Sequence, residues 1–144
     1  INIEIKEKAS KEQTIKECLN LISEFNMNDQ VLFSSFDHSY YDIIRAYSMI
    51  EFKFLMHTKT EYDCFFKRDR KNCVNTSICI NNNLLSRDEV ILFHSSNKPV
   101  RVYFEKLNYL YDIDVDQVIV DDPIFAFEQQ RRYLENRKKS ELRN

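Results

Sequence analysis

Ile1-Asn2-Ile3-Glu4-Ile5-Lys6 sets three isoleucines on one side of an extended chain and Asn2, Glu4 and Lys6 on the other. A period of two is the pattern of a strand. The next apolar residues, Ile15, Cys18, Leu19, Ile22 and Phe25, are spaced for one face of a helix. The pair of patterns then recurs. Val31 to Ser35 predicts a second strand, and Ile43, Ile44, Tyr47 and Ile50 a second helix. Phe52 to Met56 predicts a third strand, followed by a helix through Tyr62, Phe65 and Phe66. Ser77 to Ile80 reads as a fourth strand. Ser86-Arg87-Asp88-Glu89 is a capping box that opens a helix through Val90 and Phe93. Val100 to Phe104 predicts a fifth strand, Leu107, Leu110 and Tyr111 a short helix, and Gln117 to Val120 a sixth strand. A long charged helix (124–144) follows Pro123, whose ring suits a first helical turn.

Six strands, each followed by a helix, predict an α/β fold with parallel pairing, because parallel strands need crossovers of a dozen or so residues. Two architectures fit: a doubly wound open sheet, or part of a (β/α)8 barrel. A complete barrel takes roughly 200 residues or more. Six units in 144 residues would be three quarters of one, a single partial domain.

Composition excludes several classes. With 43% hydrophobic residues the chain can bury a core. With 21 basic and 23 acidic side chains it lacks the basic excess of a dedicated nucleic-acid binder. It has no 18-residue apolar run and no basic-then-apolar leader, so neither a transmembrane span nor a signal peptide is expected, and a cytoplasmic location is. The chain starts at Ile1 rather than Met, which suggests a trimmed start. It contains no glycine and 13 asparagines. Asn is the best substitute for Gly in left-handed turns, which points to Asn28, Asn81-Asn82-Asn83 and Asn97. Cys18, Cys64, Cys73 and Cys79 lack C-x-x-C spacing and read as reduced, buried residues. His38, His57 and His94 do not pair with them at zinc-finger spacing.

Few residues suggest chemistry. Glu4 and Lys6 share one side of the first strand. Near the strand's C-terminal end, where α/β folds place their sites, they could hold a divalent cation and a phosphate oxygen. An ordinary ion pair on a solvent-facing strand fits the pattern as well. Ser34-Ser35-Phe36-Asp37 is either a polar site wall or a strand end with a helix N-cap. Asp112, Asp114 and Asp116 lack the Gly and the twelfth-position Glu of a calcium loop, so they read as a loop. Asp121-Asp122-Pro123 reads as a helix cap. Lys67, Arg68, Arg70 and Lys71 form one basic cluster. A second, from Arg131 to Arg143, interleaves with Glu128, Glu135 and Glu141 and reads as a solvated helix face.

The order of these motifs resembles the glycerophosphodiester phosphodiesterase family. Asn2-Ile3-Glu4-Ile5-Lys6 is similar to its third-strand motif, Phe33-Ser34-Ser35-Phe36-Asp37 to its fourth, and Val115 to Pro123 to its closing V-D-G-I-I-T-D-x-P. Eukaryotic, intracellular glycerophosphocholine-type members are the nearest in flavour. The resemblance implies a (β/α)8 TIM barrel of the phospholipase-C-like phosphodiesterase type, here strands three to eight, with the first two βα units absent. It implies metal-dependent hydrolysis of a small glycerophosphodiester to an alcohol and glycerol 3-phosphate. Glu4 then matches a ligand of the divalent cation (Mg2+ or Ca2+), Lys6 a catalytic and phosphate-binding position, and Tyr103 a substrate-lining Trp. Gln117 and Val120 replace a Gly and a Thr of the closing motif. The family's His-Arg-Gly, Glu-x-Asp and second histidine have no counterpart, so the 144 residues alone are expected to be inactive. A non-catalytic relative that binds a phosphate ligand or a protein is the alternative.

Overall fold

The computed structural model describes residues 1–6, 9–67, 73–103 and 114–141. The elements are β1 (Asn2–Glu4), α1 (Lys11–Glu24), β2 (Leu32–Ser35), α2 (Tyr40–Arg45), β3 (Glu51–Met56), α3 (Lys59–Lys67), β4 (Thr76–Asn81), α4 (Arg87–Ser95), β5 (Val100–Tyr103), β6 (Gln117–Ile119) and α5 (Pro123–Glu141). A 3-10 turn, Asn82–Leu84, follows β4. The strands are hydrogen-bonded in chain order, β1 to β6. The pairs β1–β2, β2–β3 and β5–β6 are parallel, as strand–helix alternation predicts. The backbone divides into two compact units, Ile1–Cys79 and Ile80–Asn144, taken in turn.

In the first unit, register sorts the side chains. Ile3, Phe33 and Phe52 are aligned, and Ser35 aligns with Phe54. Aligned residues share a face, and residues two apart along a strand do too. The apolar face therefore carries Ile3, Ile5, Phe33, Phe52 and Phe54. Phe54 is its centre, with ring centroids 4.9 Å from Phe52, 4.9 Å from Phe65 of α3, 5.5 Å from Tyr41 of α2 and 5.0 Å from His38. Each buried Phe contributes about 1.5–3 kcal/mol, and edge-on ring pairs add roughly 0.5–1.5 kcal/mol each. His38 is buried and its Nε2 lies 2.9 Å from the Leu55 carbonyl, which places it in the core.

Helix boundaries depart from the periodicity in two places. α1 ends at Glu24, leaving Phe25 66% exposed rather than on the buried face with Ile15 and Ile22. There Asn26 adopts φ 54°. Its N–H donates to Ser23 O (3.1 Å) and that of Met27 to Ile22 O (2.9 Å). This is a Schellman ending with Asn in the place Gly usually holds. α2 stops at Arg45, so Tyr47 and Ile50 are not helical. Arg45 itself turns back, donating from Nη1 to Ser48 O (2.6 Å) and from Nη2 to Ile50 O (2.5 Å), which steers the chain into β3.

In the second unit, Ser86 and Glu89 form both bonds of the expected capping box, at 3.3 and 2.7 Å. α4 buries Val90 and Phe93 and ends on Asn97 (φ 53°) in a second Schellman motif. Among the described residues the other left-handed ones are Asn75 and Asp114; Asn28 is not, nor is the Asn81-Asn82-Asn83 run, which ends β4 and enters the 3-10 turn. Asp122 Oδ1 accepts the Phe125 N–H (2.9 Å), capping α5 as predicted. Arg131–Glu135 and Arg132–Glu128 are i,i+4 pairs on its solvated face. The predicted helix through Leu107, Leu110 and Tyr111 lies outside the described residues, as do Phe104, most of the Lys67–Lys71 cluster and Arg143. Among the described residues no helix is long and apolar enough to cross a membrane.

Candidate functional site

Glu4 is the last residue of β1, and Lys6 follows once Ile5 N–H has donated to Ser34 O (2.8 Å). Lys6 Nζ lies 3.4 Å from Glu4 Oε1, with the side chains 79% and 34% exposed. The two residues are thus side by side at the strand's C-terminal end. As an ion pair this screened contact contributes at most about 1 kcal/mol. What surrounds it matters more than the pair.

The register places Ser34 beside Glu4, and Lys53 beside Ser34. Carboxylate, hydroxyl and ammonium thus occupy one row on the polar face of three adjacent strands. Strands lie about 4.8 Å apart, so the outer two backbones of the row are roughly 10 Å apart. Ser34 is fully buried and Lys53 is 4% exposed. Ser34 Oγ has no hydrogen-bond partner among the described residues. One step toward the strand N-termini, Glu51 accepts a hydrogen bond from Ser77 of β4. Sequence reasoning singled out Glu4 and Lys6 but passed over Glu51 and Lys53. The signal was present: Glu51-Phe52-Lys53-Phe54 alternates as the first six residues do, with phenylalanines in place of isoleucines.

Ser35 and Asp37 point elsewhere. Ser35 Oγ donates to Ile5 O (2.8 Å) and accepts from Asp37 N (3.1 Å). Asp37 Oδ1 accepts from Ser39 N (3.0 Å) and Ser39 Oγ (2.7 Å), and Lys11 of α1 binds its other oxygen. Burial pushes this carboxyl up, but the Lys11 and Ser39 hydrogen bonds outweigh it and hold it at about 2. The N-cap of α2 is Ser39. Asp37 organises the turn before it.

Tyr103 ends β5, half-buried, in the second unit. Arg101 shares its side of β5 and donates from Nε to Gln117 Oε1 of β6 (2.9 Å). Gln117, where the resembling motif has Gly, is thus engaged by the neighbouring strand. Asp116, read as loop, is a structural anchor. Its Oδ2 accepts from Val100 N (2.6 Å) and lies 2.9 Å from His94 Nε2. A cleft of about 390 Å3 between β6 and α5 is walled by Val118, Phe127 and Leu134 and holds none of the predicted site residues.

Among the described residues no group of three or more His, Cys, Asp or Glu side chains could hold a metal ion. A hard divalent cation takes six or more oxygen ligands, and Glu4 is one donor. The described residues therefore do not fit a resident cation by themselves. Cys73 and Cys79 are buried, while Cys64 is exposed and Cys18 half-buried, all as free thiols.

No family model matches the sequence, and no curated protein matches it significantly. Solved structures do match. The likeness is one of α/β fold. One neighbour is described as a glycerophosphoryl diester phosphodiesterase from Silicibacter pomeroyi DSS-3, with a TM-score of 0.75 and 15% identity over 92% of this chain. Another is described as a glycerophosphodiester phosphodiesterase from Galdieria sulphuraria, with a TM-score of 0.68 and 13% identity over 92%. This chain spans 49% and 56% of their respective lengths.

Proposed function

We propose that the chain is the strand-three-to-eight portion of a phosphodiesterase-type (β/α)8 barrel that cleaves glycerophosphodiesters to an alcohol and glycerol 3-phosphate. The observation that carries this reading is the Glu4–Lys6 pair at the C-terminal end of β1, on a fold similar to proteins described as such enzymes. Lys6 would neutralise charge on the phosphate as the ester bond breaks; preorganised positive charge at that point is a large source of rate acceleration. Tyr103 would line the substrate. Glu4 would contribute one oxygen to Mg2+ or Ca2+; since the described residues do not complete that shell, no step is assigned to the cation. The substrates proposed are of the glycerophosphocholine type, in the cytoplasm.

The test is release of glycerol 3-phosphate from glycerophosphocholine by the complete protein. Glu4→Gln should abolish it, and Lys6→Ala should lower it by about a hundredfold. Unchanged turnover in both variants defeats the assignment. A second reading, a phosphate-binding module without turnover, is favoured by Gln117, whose amide is tied to Arg101 where the motif has glycine. Ligand binding without product release in the complete protein would select it.

A further inference from the structure

We propose that Ser34 and Lys53 form a buried oxyanion subsite that grips the phosphate of the substrate. The proposal rests on the phosphodiester reading of the same face; it adds Lys53, which lies outside the sequence motifs, and gives a specific role to Ser34, which lies within one. Three observations converge. Ser34 is fully buried, yet its Oγ has no partner among the described residues. Leaving a buried hydroxyl unmatched destabilises a fold, so such a group calls for an explanation, and a guest that accepts its proton is one. Lys53 is aligned with it on the adjacent strand and is 4% exposed. Glu4 is aligned with it on the other side, at the edge that solvent reaches.

The donor chemistry selects the ligand. An ammonium offers three N–H donors and no acceptor, and a hydroxyl can add one more donor. Together they suit an acceptor-rich anion such as a phosphate, and the lysine's charge repels a cation. Location separates the two lysines. Lys6 is 79% exposed, so water screens its attraction for an anion. A charge on Lys53, which is 4% exposed, would act through a much lower effective dielectric and attract more strongly at equal distance. Lys6 can meet the anion at the entrance, and Lys53 with Ser34 holds it within.

Binding of glycerol 3-phosphate to the complete protein, followed by phosphorus NMR and by the rise in thermal midpoint, tests this directly. The wild-type protein should bind. Lys53→Met should weaken binding about tenfold or more, as expected for loss of a charge-assisted bond. Ser34→Ala should weaken it about threefold to tenfold, yet melt no lower than wild type without ligand, because it removes an unmatched hydroxyl. Lys6→Met should cost less than Lys53→Met. Circular dichroism checks folding; if Lys53→Met does not fold, Ser34→Ala, which removes a single oxygen, decides alone. Wild-type affinity in both Ser34→Ala and Lys53→Met, with loss in Lys6→Met, overturns the subsite and leaves the phosphodiester reading intact. No binding by the wild-type protein at millimolar ligand also overturns the subsite, and the broader reading then stands or falls on turnover by the complete protein.

Discussion

Asp37 shows how one side chain converts charge into pH dependence. Its folded value of about 2 lies below the ordinary 3.8, so its contribution is complete above 3.8 and is lost as pH falls toward 2. Both Asp37 and Lys11 are partly exposed, and solvent screening limits the pair to about 1 kcal/mol. Asp37→Asn should therefore lower the melting temperature at pH 7 by about 2–4 °C, and the gap should close near pH 2; a gap constant with pH would contradict the pairing. Arg45 makes a stronger case. Its half-buried guanidinium serves the Ser48 and Ile50 carbonyls, and burial pulls its value down more than Tyr41 and Cys73 raise it. Arg45→Met should cost about 2–3 kcal/mol in urea unfolding, since it removes charged donors from both carbonyls. Neither role is legible in the sequence, because each depends on atoms that the turn brings together.

At the scale of the element, local chemistry is legible where it is contained within four residues. Ser86 and Glu89 announce α4 by their spacing, and both capping bonds are present. Ser86→Ala should cost about 1 kcal/mol, read as a lower chemical-denaturation midpoint with unchanged slope. Strand interiors behave differently. Phe54 touches rings from α2, β3 and α3 as well as His38, so Phe54→Ala should cost about 3–5 kcal/mol. A loss under 1 kcal/mol would mean that the cluster collapses onto the gap. Lys53 belongs to this scale too. Its alternation with Phe52 and Phe54 was visible, but only the register that sets it beside Ser34 gives it a reason to be inside.

Across the whole molecule, the strand order leaves β1 and β6 each with one strand neighbour among the described residues. Unpaired strand edges recruit other chains. α5 also exposes Ile124 at 74% and Phe127 at 71%. Isolated, the 144-residue chain should self-associate, its mass by light scattering rising with concentration, and Ile124→Glu with Phe127→Glu should reduce the rise. A monomer at every concentration would refute this. The amino-acid order determined the alternation of strands and helices, the parallel pairing and the capped helix starts, because periodicity and capping act over a few neighbouring residues. Only the tertiary structure decided which polar residues stand together. The alignment of Glu4, Ser34 and Lys53 depends on how three strands some twenty to thirty residues apart in sequence come into register, and packing of the apolar face sets that register.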